Sequence, residues 1–155
     1  MTIKRVIVAT VLVAIVGAVA LAQSSDPHVG TWKLNAGKSK GTMFTGGTVT
    51  VEPAGQGFKT SVDLVGQDGM PSKWSFTAQP DGKDHPITGE NPFGNTLSMT
   101  RVDARTLKTT IKQDGKVTLM QTVTVSEDGK TRTITSKGTS LKGQAIDSMT
   151  HYERQ

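Results

Sequence analysis

A turn that keeps returning is the strongest constraint on what this chain can fold into. Gly55, Gly69 and Gly82, and then Gly115, Gly129 and Gly143, recur every 13 or 14 residues. Four of these glycines follow an aspartate, as Asp68-Gly69, Asp81-Gly82, Asp114-Gly115 and Asp128-Gly129. Asp-Gly signals a tight hairpin because both central positions of a two-residue turn favour positive φ. The spacing leaves room for one strand between turns. It leaves none for the crossover of a dozen or more residues that a parallel pair needs. Neighbouring strands are therefore predicted to run antiparallel.

The segments between turns alternate with period two. Thr48-Val49-Thr50-Val51, Lys73-Trp74-Ser75-Phe76-Thr77, Leu107-Lys108-Thr109-Thr110-Ile111 and Thr131-Arg132-Thr133-Ile134-Thr135 show the pattern most clearly. Threonine and valine dominate, as β-branched residues do in strands. Strands are predicted near 29–35, 46–53, 57–65, 72–79, 84–88, 95–102, 105–113, 116–126, 130–138 and 144–154. A run of consecutive antiparallel strands leaves two exposed edges, and closing the sheet removes them. The expected fold is all-β: an antiparallel up-and-down meander closed into a barrel of about 8–10 strands, with no major helix. Residues 36–46 and 86–95 are the two longest non-strand stretches. Many inward positions are expected to be Thr, Ser or Val, which would leave a cavity of mixed polarity.

The first residues read differently. Lys4 and Arg5 precede an apolar run from Val6 to Leu21 that ends at Ala20-Leu21-Ala22. This matches a secretory signal peptide over 1–22, cleaved after Ala22. The run is short for a bilayer span. Residues 23–28 are then a loose polar lead-in, and 29–155 form the barrel domain. The 155-residue chain carries 18 basic and 13 acidic residues. Two of the basic residues lie in the signal, so the exported domain is only mildly basic. Its charges are scattered and aromatics are few, which argues against a nucleic-acid partner. There is no cysteine, hence neither a disulfide nor a lipoprotein anchor. A periplasmic or extracellular monomer with no stable membrane insertion is expected.

The two ends of the domain carry its most specific motifs. Val29-Gly30-Thr31-Trp32-Lys33-Leu34 opens the first strand, and Tyr152-Glu153-Arg154 closes the last. In a closed meander these strands pair, and the Arg154 guanidinium can cover the Trp32 indole. Gly30, Trp32 and Arg154 together resemble the structural latch of the calycin superfamily, which includes lipocalins and fatty-acid-binding proteins. The chain also resembles bacterial exported lipocalin-like proteins with Gly-Thr-Trp-Lys-Leu-Asn followed by Lys-Ser. The resemblance implies a ligand in the barrel lumen. Two departures stand out. Residues 36–46 are too short for the helix pair that caps fatty-acid-binding proteins. Thr150 occupies the position, two residues before Tyr152, where those proteins place an arginine for the ligand carboxylate.

Candidate lumenal contacts are Trp74 and Phe76 on one strand face, Met99 and Met120, and Thr150 with Tyr152. Met149 is a further methionine that could line an adaptable pocket. His28, His85 and His151 are far apart in sequence, and His85 with Asp81 and Asp84 is the best local polar cluster. No metal site or cofactor is expected from it. Neither a nucleophile elbow nor a zinc helix nor a phosphate loop occurs. The expected function is non-catalytic binding of a small lipophilic or mixed-polarity molecule. The alternative is a protein-interaction or inhibitor module acting through the loops 36–46 and 86–95.

Overall fold

A computed structural model describes residues 25–155; the predicted signal peptide over 1–22 lies outside the described residues. Ten strands follow in chain order. They are β1 (Gly30–Leu34), β2 (Phe44–Ala54), β3 (Gly57–Gly66), β4 (Pro71–Ala78), β5 (Asp81–Gly89), β6 (Thr96–Asp103), β7 (Thr106–Gln113), β8 (Lys116–Val125), β9 (Thr131–Thr139) and β10 (Ala145–Arg154). Each pairs antiparallel with its neighbours, and β1 pairs with β10 to close the barrel. The only helical element among the described residues is a single 3-10 turn, Ala36–Lys38. Asn35 caps it by accepting the Lys38 N–H.

The turns keep the predicted positions except at Asp81-Gly82, which lie within β5 after a connection at 79–80, and they do not share one conformation. Asp114 and Gly115 both take positive φ, at 51° and 81°. At Asp68-Gly69 and Asp128-Gly129 only the glycine does. There the aspartate side chain accepts the backbone N–H two residues on, from Met70 and Lys130, each at 3.0 Å. Aspartate serves as a turn acceptor at these two sites and as a left-handed residue at the first.

Period two sorts the side chains. On β8 the inner face carries Leu119, Val123 and Val125, all buried. The threonines sit largely on the other parity: Thr100, Thr124 and Thr135 are exposed. Thr60, Thr109, Ser136, Val49 and Val62 do line the lumen, so the expected Thr, Ser and Val interior is present in part. Leucine, isoleucine, phenylalanine and tryptophan fill much of the lumen, and β-branched threonine serves the outer, solvated surface of the pleat.

The seam between β1 and β10 is short, with Trp32 opposite Arg154, Lys33 opposite Glu153 and Leu34 opposite Tyr152. Trp32 is fully buried. The Arg154 guanidinium carbon lies 4.2 Å from the centroid of its ring. The same guanidinium donates to the carbonyls of Gly129 at 2.6 Å, Val29 at 2.7 Å and Pro27 at 2.8 Å. Gly30 has φ +140°, and a Cβ there would collide with Arg154 Nη1. The Gly-x-Trp spacing thus leaves room for the arginine that covers the indole.

Within the expected loose lead-in over 23–28, Asp26, Pro27 and His28 are tied down. Asp26 accepts a 2.6 Å bond from Arg101. Trp32 Nε1 donates to the His28 carbonyl at 3.0 Å. This strap crosses the end of the barrel where β2–β3, β4–β5, β6–β7 and β8–β9 turn, here called the floor. The opposite end, the mouth, carries the other hairpins and the segment after β1.

Candidate functional site

The lumen holds a cavity of about 100 Å³. From the floor upward its walls include His28, Phe58, Arg132, Tyr152, Thr150, Met99, Phe76 and Trp74. Phe44 narrows the neck, with ring centroids 6.0 Å from Trp74 and 6.4 Å from Phe93. Above the neck an open basin of about 530 Å³ is bordered by Met43, Phe44, Met70, Asn91 and Leu141. Both loops singled out in the sequence, 36–46 and 86–95, contribute to that basin through Met43, Phe44 and Glu90–Pro92.

The predicted site residues divide by strand parity. Trp74, Phe76, Met99, Thr150 and Tyr152 all line the cavity. Met120 does not: it is 62% exposed. Its neighbour Leu119 takes the inner face of β8, and one residue of shift places Met120 outside. Met149 also faces away from the lumen, since Ile146, Ser148, Thr150 and Tyr152 supply the inner parity of β10. The expected polar cluster does not converge. His85 Nε2 is 3.1 Å from Asp81, while Asp84 is engaged by Lys112 at 2.8 Å. Among the described residues no group of His, Cys, Asp and Glu is arranged to hold a metal ion.

Two polar residues on the cavity wall carry chemistry that the sequence reading passed over. Arg132 projects inward from β9, opposite Tyr152 on β10. It is buried, and its Nε and Nη1 have no hydrogen-bond partner among the described residues. Burial pushes its pKa down from 12.5 to about 10, opposed only by Tyr152, so it remains a cation at neutral pH. Burial likewise raises the Tyr152 phenol to about 12, against the pull of Arg132, so the hydroxyl stays protonated. The signal for Arg132 was available: in Thr131-Arg132-Thr133-Ile134-Thr135 it shares its parity with Ile134.

His28 is the second. Its ring is 1% exposed, lies 6.2 Å from the Phe58 ring, and leaves both Nδ1 and Nε2 without a partner. Burial is the main cause that lowers its pKa to about 4, with the Arg132 charge next. The ring is therefore neutral at pH 7. No sequence pattern marks His28, because its position depends on the strap folding back under Trp32.

The rest of the polar wall is quiet. Gln121 Nε2 donates to Ser136 Oγ at 3.0 Å. An unpaired guanidinium and an unpaired imidazole thus share one small, largely apolar chamber. Buried cations are ordinarily paired or hydrogen-bonded. This arrangement can accept an anion, because an anionic oxygen supplies what both Arg132 nitrogens lack. Comparison with protein-family models, curated proteins and solved structures finds no match to the chain.

Proposed function

We propose that this protein is an exported, non-catalytic binding barrel of calycin type that takes a small organic anion into its lumen. The observation that carries the reading is Arg132: a buried guanidinium with Nε and Nη1 unpartnered, on the wall of the lumenal cavity. The latch of Gly30, Trp32 and Arg154 supports the calycin assignment by its placement at the closing seam. The predicted signal peptide supports export.

The cavity size sets the ligand class. At about 100 Å³ it is smaller than the roughly 150 Å³ cavity that holds benzene in an engineered core. It suits a carboxylate of a few carbons, with its head on Arg132 and its chain against Met99, Phe76 and Trp74. A long acyl chain would need the Phe44 neck to open into the basin above. Isothermal titration of the purified protein with acetate, butyrate, hexanoate and uncharged butyramide tests this. Butyrate binding in preference to butyramide is the expected result. Equal affinity for the two, or no binding by any, rejects the assignment.

A further inference from the structure

We propose that His28 is a second ligand-contacting residue of the lumenal site, and that it takes up a proton when an anion settles beside Arg132. This rests on the anion-binding reading above. The geometry places His28 on the wall of the same cavity as Arg132, buried, with both ring nitrogens unpartnered. A ring that merely filled the floor would find its match in an apolar residue, as Phe58 beside it does. Instead the strap places two buried polar ring atoms, without a protein partner, in a residue of the cavity wall.

The charges that face His28 decide the direction of the coupling. Arg132 on β9 and Arg101 on β6 oppose its protonation; Asp26 on the strap and Asp103 on β6 favour it. Arg101 is engaged by Asp26 at 2.6 Å and lies over the Phe58 ring. Tyr152 on β10 is neutral in this range. Of the two opposing cations, Arg132 is thus the one that no carboxylate among the described residues engages. An anion bound to Arg132 cancels that opposition and adds an attraction of its own, so protonated His28 is favoured in the complex. The imidazole then becomes a donor at both nitrogens. The ligand is consequently an anion with acceptor atoms for two separated groups, and its affinity rises as pH falls.

The probe is ethanesulfonate, whose own charge does not change between pH 5.5 and 8. If binding restores His28 from about 4 to near the ordinary value of about 6.5, affinity rises about tenfold from pH 8 to pH 5.5. Close to one proton is then taken up per ligand at pH 5.5, read by calorimetry in buffers of different ionisation enthalpy. His28→Gln should weaken binding and lose the pH dependence. The ring signals of His28 in the unsubstituted protein, assigned with His85→Gln and His151→Gln, should show a pKa that rises with ethanesulfonate. That measurement stands even where His28→Gln fails to fold. Binding that is flat with pH, or an unmoved His28 pKa in the saturated protein, overturns the role of His28 alone. No ethanesulfonate binding at either pH overturns this role and the anion site together.

Discussion

Replacing Arg132 with methionine should make the protein more stable and its site empty. The size of the gain follows from what the guanidinium lacks. Its Nε and Nη1 find no partner, and each buried unsatisfied donor costs about 1–3 kcal/mol. The fall of its pKa from 12.5 to about 10 corresponds to about 3 kcal/mol against the charged form. One attraction offsets this. The guanidinium carbon is 5.9 Å from the Trp32 ring centroid, near the outer limit for a cation–π contact of about 0.5–2 kcal/mol. Methionine restores most of the volume without the charge. A net gain of about 1–4 kcal/mol is expected, in line with apolar replacement of other buried ions. At this chain length that is a rise in melting temperature of about 4 °C per kcal/mol. Urea titration at pH 7 without ligand is the assay, with butyrate titration alongside. A variant that is less stable by 1 kcal/mol or more would refute the reasoning, because Arg132 would then hold the fold together rather than wait for a ligand.

Three further outcomes follow from burial, strain and titration. Leu119→Ala should cost about 2–5 kcal/mol, because Leu119 is fully buried; Met120→Ala, one residue on and 62% exposed, should stay within about 0.5 kcal/mol, and equal losses in denaturant titration would reject the assigned register. Arg154→Ala should cost about 2–4 kcal/mol by removing three carbonyl bonds and the cover of Trp32, while Gly30→Ala should cost about 1–3 kcal/mol through strain at φ +140°. In the ligand-free protein, stability should fall as pH drops from about 6.5 toward 4. The sign follows because the unfolded chain binds a proton on His28 at its ordinary 6.5, whereas the folded chain does so only near 4. The limit is about 3 kcal/mol. The carboxylates Asp81, Asp103, Asp128 and Glu153, all held below their ordinary values by hydrogen bonds, lose their contributions at lower pH. His28→Phe should flatten the 6.5-to-4 limb, and a limb that persists in that variant assigns it elsewhere.

The barrel was legible because its determinants are local. Alternation on each strand and a glycine at most of the turns are nearest-neighbour properties, and ten strands appear where the alternation placed them. The same parity that locates Leu119 indoors locates Met120 outdoors, but methionine is apolar and drew the wrong face until its neighbour was weighed. Arg132 was missed for the converse reason. An arginine between threonines reads as solvated, although its phase with Ile134 points inward. His28 lies further from reach. Its burial depends on contacts across the barrel, from Arg154 to Pro27 and from Arg101 to Asp26, and such contacts leave no local pattern.

Closure of the barrel and the floor of the site depend on one residue. Trp32 sits at the β1–β10 seam, which has three register pairs against nine between β10 and β9. Arg154 covers its indole, Arg132 approaches the same ring from the lumen side, and its Nε1 holds the His28 carbonyl. This short closure is therefore also the hinge of the strap that carries His28. Loosening the latch removes the floor before it separates the strands, since the strap contributes no strand pairing of its own. A ligand bridging Arg132 and His28 would act in the opposite sense, adding a link between β9 and the strap where the protein alone supplies none. Binding and closure would then reinforce each other, and a barrel without cysteine would gain between β9 and the strap a cross-link that no disulfide provides.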